Sequence, residues 1–132
     1  MSNKKIAKLN IKLKDLFFRW LDITKTFHGL NKQQQQVLAL LLYHHYLYKK
    51  EITNDKILWK VVFDYETRVK IREDSIFGEK GLGSNSFENI LSTLRKKKVI
   101  IDNKINPAYI PDLSSNSKEF NILFIFNIID ND

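Results

Sequence analysis

The sequence predicts a mainly helical α+β fold: a winged helix–turn–helix with a C-terminal β-hairpin and an added N-terminal strand, forming a single domain over residues 1–132. Three observations predict it. Apolar residues recur at helical spacing through most of the chain, a short β-branched run follows directly on a basic helix, and the C-terminal residues alternate at the two-residue period of a strand. A length of 132 residues with 43% hydrophobic residues supplies one sizeable core.

Within Ile6 to Leu13, Leu9, Ile11 and Leu13 alternate with Lys8, Asn10 and Lys12, which predicts a half-buried strand. From Asp15 to Phe27 the period becomes helical through Leu16, Phe17, Trp20, Ile23, Thr24 and Phe27, and His28-Gly29 is a natural stop. Asn31 has the character of an N-cap for a helix to Tyr48, with Val37, Leu38, Leu41, Leu42 and Leu47 inward. That helix is apolar on more than one side and is therefore expected at the centre. Thr53 or Asn54 caps the next segment, Asp55 to Asp74, with Ile57, Leu58, Val61, Val62, Val69 and Ile71 inward; its apolar phase slips at Asp64-Tyr65, predicting a break.

Gly78 to Gly83 reads as a mobile linker. After it, Asn85 and Glu88 have the spacing of a capping box, opening a helix to Lys98 that buries Phe87, Ile90, Leu91 and Leu94. It ends in Arg95-Lys96-Lys97-Lys98, cations at the negative end of the helix dipole. Val99 to Ile101 predicts a short strand, Asp102-Asn103 a turn tolerant of positive φ, and Lys104 to Ile110 an extended stretch interrupted by Pro107. A polar loop, Ser114 to Lys118, precedes Phe120, Ile122, Phe124, Phe126 and Ile128, whose strict alternation predicts a strand for the N-terminal one to join.

Composition narrows the function. With no cysteine, disulfides, cysteine-ligated metals and thiol chemistry are excluded. A net charge of +7 favours an anionic partner. The lack of an apolar run of about 18 residues argues against a membrane span, so a cytoplasmic protein is expected. Gly78-x-x-Gly81-x-Gly83 lacks the order of a dinucleotide fingerprint, and no nucleophile signature occurs. His44 and His45 are adjacent and diverge by about 100° on a helix, unlike a metal-binding pair. Neither enzyme activity nor a cofactor or metal is expected. Tyr43, Tyr46 and Tyr48 exceed one buried stripe. Packing against Trp20 or the N-terminal strand is the simpler expectation, and a homodimer or partner surface the alternative.

The chemistry-bearing face is that of the helix from Asn85 to Lys98. Opposite its apolar side stand Asn89, Ser92, Thr93 and Lys96, residue types that hydrogen-bond base edges or phosphates. Arg95, Lys96 and Lys97 are placed to grip a phosphate backbone, and Lys104 on the wing to reach an adjacent groove. Glu88 dissents, since a carboxylate repels phosphate. Double-stranded DNA is the expected partner; a protein-interaction or virion-assembly role is the alternative.

Three segments carry a resemblance to known families. Leu30-Asn31-Lys32-Gln33 through Val37-Leu38-Ala39-Leu40-Leu41 resembles the first core helix of MarR-like winged-helix regulators, and Ser86 through Ile100 is similar to their recognition helix running into the wing. That family usually has glycine where this chain has Lys98, which implies a different helix exit. Ile105-Asn106-Pro107-Ala108-Tyr109 is similar to the Asn-Pro strand of RepL-type plasmid replication proteins. The chain as a whole resembles small winged-helix proteins of tailed bacteriophages, including crAss-like phages. The resemblance implies a role in phage transcription or replication inside a bacterial host, or a place in the virion.

Overall fold

The computed structural model describes residues 6–113 and 118–130; residues 1–5, 114–117 and 131–132, which include most of the Ser114–Lys118 loop, lie outside it. In chain order the α-helices and strands are α1 (Leu13–Ile23), α2 (Lys25–His28), α3 (Lys32–Tyr48), α4 (Asp55–Val62), α5 (Tyr65–Arg72), α6 (Ser84–Lys96), β1 (Ile100–Ile101) and β2 (Lys104–Ile105), with a 3₁₀ turn at Ser75–Phe77 between α5 and α6. The protein is thus mainly helical, with one small antiparallel sheet.

α3 is the axis around which the rest assembles. Asn31 accepts the Gln34 backbone N–H at 2.8 Å, and Gln34 Oε1 accepts that of Asn31 at 3.0 Å, a reciprocal cap that opens the helix where the sequence places it. Every residue from Val37 to Leu42 is buried, because α1, α4, α5 and α6 all pack against this helix. Leu47 is only half-buried. Phe17 and Leu21 from α1, Leu58 and Val62 from α4, and Ile71 from α5 complete the core with Phe87, Leu91 and Leu94 from α6. Of the tyrosine cluster, Tyr46 is buried with its ring 5.9 Å from Phe17, and the Tyr48 hydroxyl meets that of Thr67 at 3.1 Å. Trp20 turns elsewhere, donating its indole N–H to Tyr109 O.

Two expected breaks have local causes. Gly29 at φ 60° ends α2 at the expected stop, although the helix expected from Asp15 to Phe27 is divided at Thr24, which directs both its amide and its hydroxyl at Trp20 O and separates α1 from α2. Asp64 accepts the Thr67 N–H at 2.8 Å and so starts α5 anew, making the phase slip a true helix boundary. The inward face of this pair differs in detail: Ile57 is exposed, and Val61 and Val69 are half-buried.

The segment read as a mobile linker is anchored at its end. Leu82 N–H donates to Arg72 O at 2.8 Å, and Arg72 Nε donates to Leu82 O at 3.0 Å. Gly81 sits so close beneath this clasp, at φ 68°, that a Cβ there would lie 2.5 Å from Arg72 O. α6 then begins at Ser84, one residue early, with Gly83 as N-cap. The expected capping box does not form, because Asn85 is already within the helix and Glu88 faces α5 instead.

The exit of α6 is a Schellman motif. Val99 N–H reaches Leu94 O at 2.9 Å and Lys98 N–H reaches Arg95 O at 3.1 Å, with Lys98 itself at φ 62°. Lys98 therefore makes the left-handed exit that a glycine more often supplies. Val99, fully buried, leads into β1. Asp102 at φ 52° and Asn103 at φ 57° form the two-residue turn that the right-handed twist of a hairpin prefers. They pair Ile100 with Ile105 and Ile101 with Lys104. Beyond β2 the chain turns into a 3₁₀ helix at Pro107–Tyr109 rather than remaining extended.

Two expected strands are absent from the described residues. Residues 6–12 and 118–130 adopt no regular structure. A strand exists only when its backbone is paired, and the two-residue β1 and β2 offer too short an edge for either segment. Phe120 nonetheless packs edge-on against Trp20, at 5.7 Å between ring centroids. Past it, Leu123, Ile125, Phe126, Ile128 and Ile129 are all at least 75% exposed.

Candidate nucleic-acid interface

α6 owes its position to its buried side. Phe87, Ile90, Leu91 and Leu94 hold it against the core, and its end packs on β1. Helical spacing then aligns Asn85, Asn89, Ser92 and Lys96 along the opposite side. Asn85, Asn89 and Lys96 are exposed, whereas Ser92 and Thr93 are half-buried. Thr93 is further committed to its own helix, its hydroxyl donating to Asn89 O at 3.2 Å. The outward line thus presents two amides, a hydroxyl and an ammonium.

The cations divide into free and tethered. Arg95, Lys96 and Lys98 are exposed, and their side-chain cations bond no other described residue. Lys97 reaches across to Gly29 O at 3.0 Å, joining the end of α6 to the corner between α2 and α3. Lys104 pairs with Asp55 at 3.1 Å and fastens β2 to the start of α4. Both partners are exposed, so this pair is weak and opens readily to a competing anion. Asn89, Ser92, Thr93, Arg95 and Lys96 share one helix; Lys104 stands apart on the hairpin.

Glu88 has a partner that sequence spacing did not reveal. Arg68 on α5 donates Nη1–H to Glu88 Oε1 at 2.9 Å while its Nε–H bonds Phe63 O at 2.8 Å. The guanidinium is therefore fixed at both ends and neutralises the one carboxylate on the outward side of α6. No local pattern announces this pair, since its members lie twenty positions apart.

The histidines serve the core. Leu30 N–H donates to His28 Nδ1 at 3.0 Å, leaving Nε2–H to donate to Leu21 O at 2.8 Å. His45 stacks on Trp59 with ring centroids 4.2 Å apart, and burial pushes its pKa down to about 4 with help from Lys49 against Asp55. Burial also lowers His44.

The fold and this face together define a mainly helical α+β domain with a polar and cationic helix running into a tight hairpin. No protein-family model, curated protein or solved structure matches the chain. Among the described residues no helix is long and apolar enough to cross a membrane.

Proposed function

We propose that this chain is a non-enzymatic, winged-helix-type domain that binds double-stranded DNA, with α6 in the major groove and the β1–β2 hairpin against the backbone. The observation that carries it is the outward stripe Asn85, Asn89, Ser92 and Lys96, continued by exposed Arg95 and Lys98. Asparagine, serine and lysine side chains match base-edge and phosphate groups, and the net charge of +7 adds attraction to any duplex. The Arg68–Glu88 pair removes the electrostatic objection that Glu88 alone would raise. The resemblance to small phage proteins suggests a transcriptional or replicative role in the cytoplasm of a bacterial host.

The test is binding to random duplex at low salt. Arg95→Glu/Lys96→Glu is expected to weaken affinity by at least tenfold, and the wild-type affinity is expected to fall steeply as salt rises. Unchanged affinity in that variant would exclude the reading. Lys97 is left intact because its bond to Gly29 gives it a structural part.

A second reading, a protein-interaction or virion-assembly module, is favoured by one observation. The apolar arm from Ile122 to Ile129 is exposed along its length and is patterned to complete another chain's sheet.

A further inference from the structure

Glu88 is more than a neutralised obstacle. It lies in the second turn of α6, four residues before Ser92 and three after Asn85, and so flanks the outward stripe. Its carboxylate is only half engaged: Oε1 accepts from Arg68, and Oε2 accepts from no described residue. The side chain is 48% exposed, so that second oxygen is accessible. Arg68 in turn is anchored to Phe63 O, so its bond draws the Glu88 carboxylate toward the α5 side of the stripe. A carboxylate oxygen accepts hydrogen bonds and donates none.

In the major groove only two bases offer a donor, cytosine through N4–H and adenine through N6–H. Adenine presents the N7 acceptor beside its amine, which repels an anionic oxygen, whereas cytosine presents no such neighbour on its own edge. Resting on the DNA-binding reading above, we infer that Glu88 is a specificity-determining residue that reads cytosine, its Oε2 accepting the exocyclic N4–H. Arg68 acts as a positioning residue: it orients the carboxylate and cancels the charge that would otherwise repel the flanking phosphates. The ligand is a duplex carrying a C·G pair at a fixed place in the half-site, opposite the N-terminal half of α6.

The experiment is selection from a randomised duplex library with the full chain, followed by competition binding on the selected duplexes. Wild type is expected to enrich cytosine at one position by about tenfold over the other bases. Glu88→Gln, which can both donate and accept, is expected to move the preference at that position alone to adenine. Arg68→Ala is expected to lower affinity for all duplexes together, through restored phosphate repulsion, and to blur the cytosine preference. Matching thermal midpoints for wild type and Glu88→Gln establish that the fold is unchanged.

A Glu88→Gln protein that selects the same bases as wild type overturns the inference, as does a wild type with no cytosine preference anywhere. Both results leave duplex binding standing. If wild type itself fails to bind random duplex at low salt, the DNA-binding reading fails and the cytosine contact falls with it.

Discussion

His45 shows how burial in this core translates into a measurable property. Its ring is nearly parallel to that of Trp59, at 16°, and is held neutral with a pKa of about 4. The unfolded chain protonates near 6.5 and so binds the proton first on acidification. Stability is accordingly complete above pH 6.5 and is lost as pH falls toward 4, by about 2 kcal/mol between pH 7 and pH 5 from this group. His44 acts in the same direction, since burial and Lys70 lower it too. Denaturant unfolding across that range should show the slope in wild type and a shallower one in His45→Phe, which keeps an aromatic partner for Trp59. Equal slopes in the two proteins would refute the assignment. At this scale the sequence was informative about caps and turns, where one residue's chemistry acts on its immediate neighbours. Asn31, Asp102 and Asn103 are examples. It was silent about Arg68 with Glu88 and His45 with Trp59, which only the tertiary fold brings together.

At the level of elements, α6 was legible because its period, its basic end and the following β-branched run are all local. Its first turn was misread for an equally local reason. Asn85 and Glu88 have capping-box spacing, but Gly83 takes the cap once Leu82 is clasped to Arg72, and Glu88 is drawn to Arg68. The last turn carries a testable strain. Lys98 holds a left-handed conformation, φ 62°, that costs a residue with a Cβ about 1 kcal/mol relative to glycine. Lys98→Gly is therefore expected to raise stability by about that amount. A fall in thermal midpoint would mean that the Lys98 side chain contributes contacts outweighing this strain.

For the molecule as a whole, helices were predicted better than strands. A helix closes its own hydrogen bonds, so its residues suffice to specify it. A strand's alternation states only that it would suit a sheet, and residues 6–12 and 118–130 have no adequate edge within the described fold. The core is consequently built from α1, α3 to α6 and the hairpin, with Phe120 against Trp20 as the arm's attachment. A chain ending at Leu113 should then unfold within about 3 kcal/mol of the full chain, the worth of one aromatic pair together with the partial burial of Phe120. It should also self-associate less in sedimentation, because the exposed apolar arm is gone. A loss of several kcal/mol would show that the arm belongs to the core.

The clasp between Arg72 and Leu82 has a consequence for how such a chain can diversify. Because two hydrogen bonds fix both ends of the intervening loop, the approach of α5 to α6 is set at its base and not by the loop's contents. Extra residues at the exposed Glu79-Lys80 tip add only closure entropy, about 0.6 kcal/mol for each doubling of length. That tip is accordingly a natural graft point, where a tag or a new binding loop can be carried without reorienting the helix beneath it.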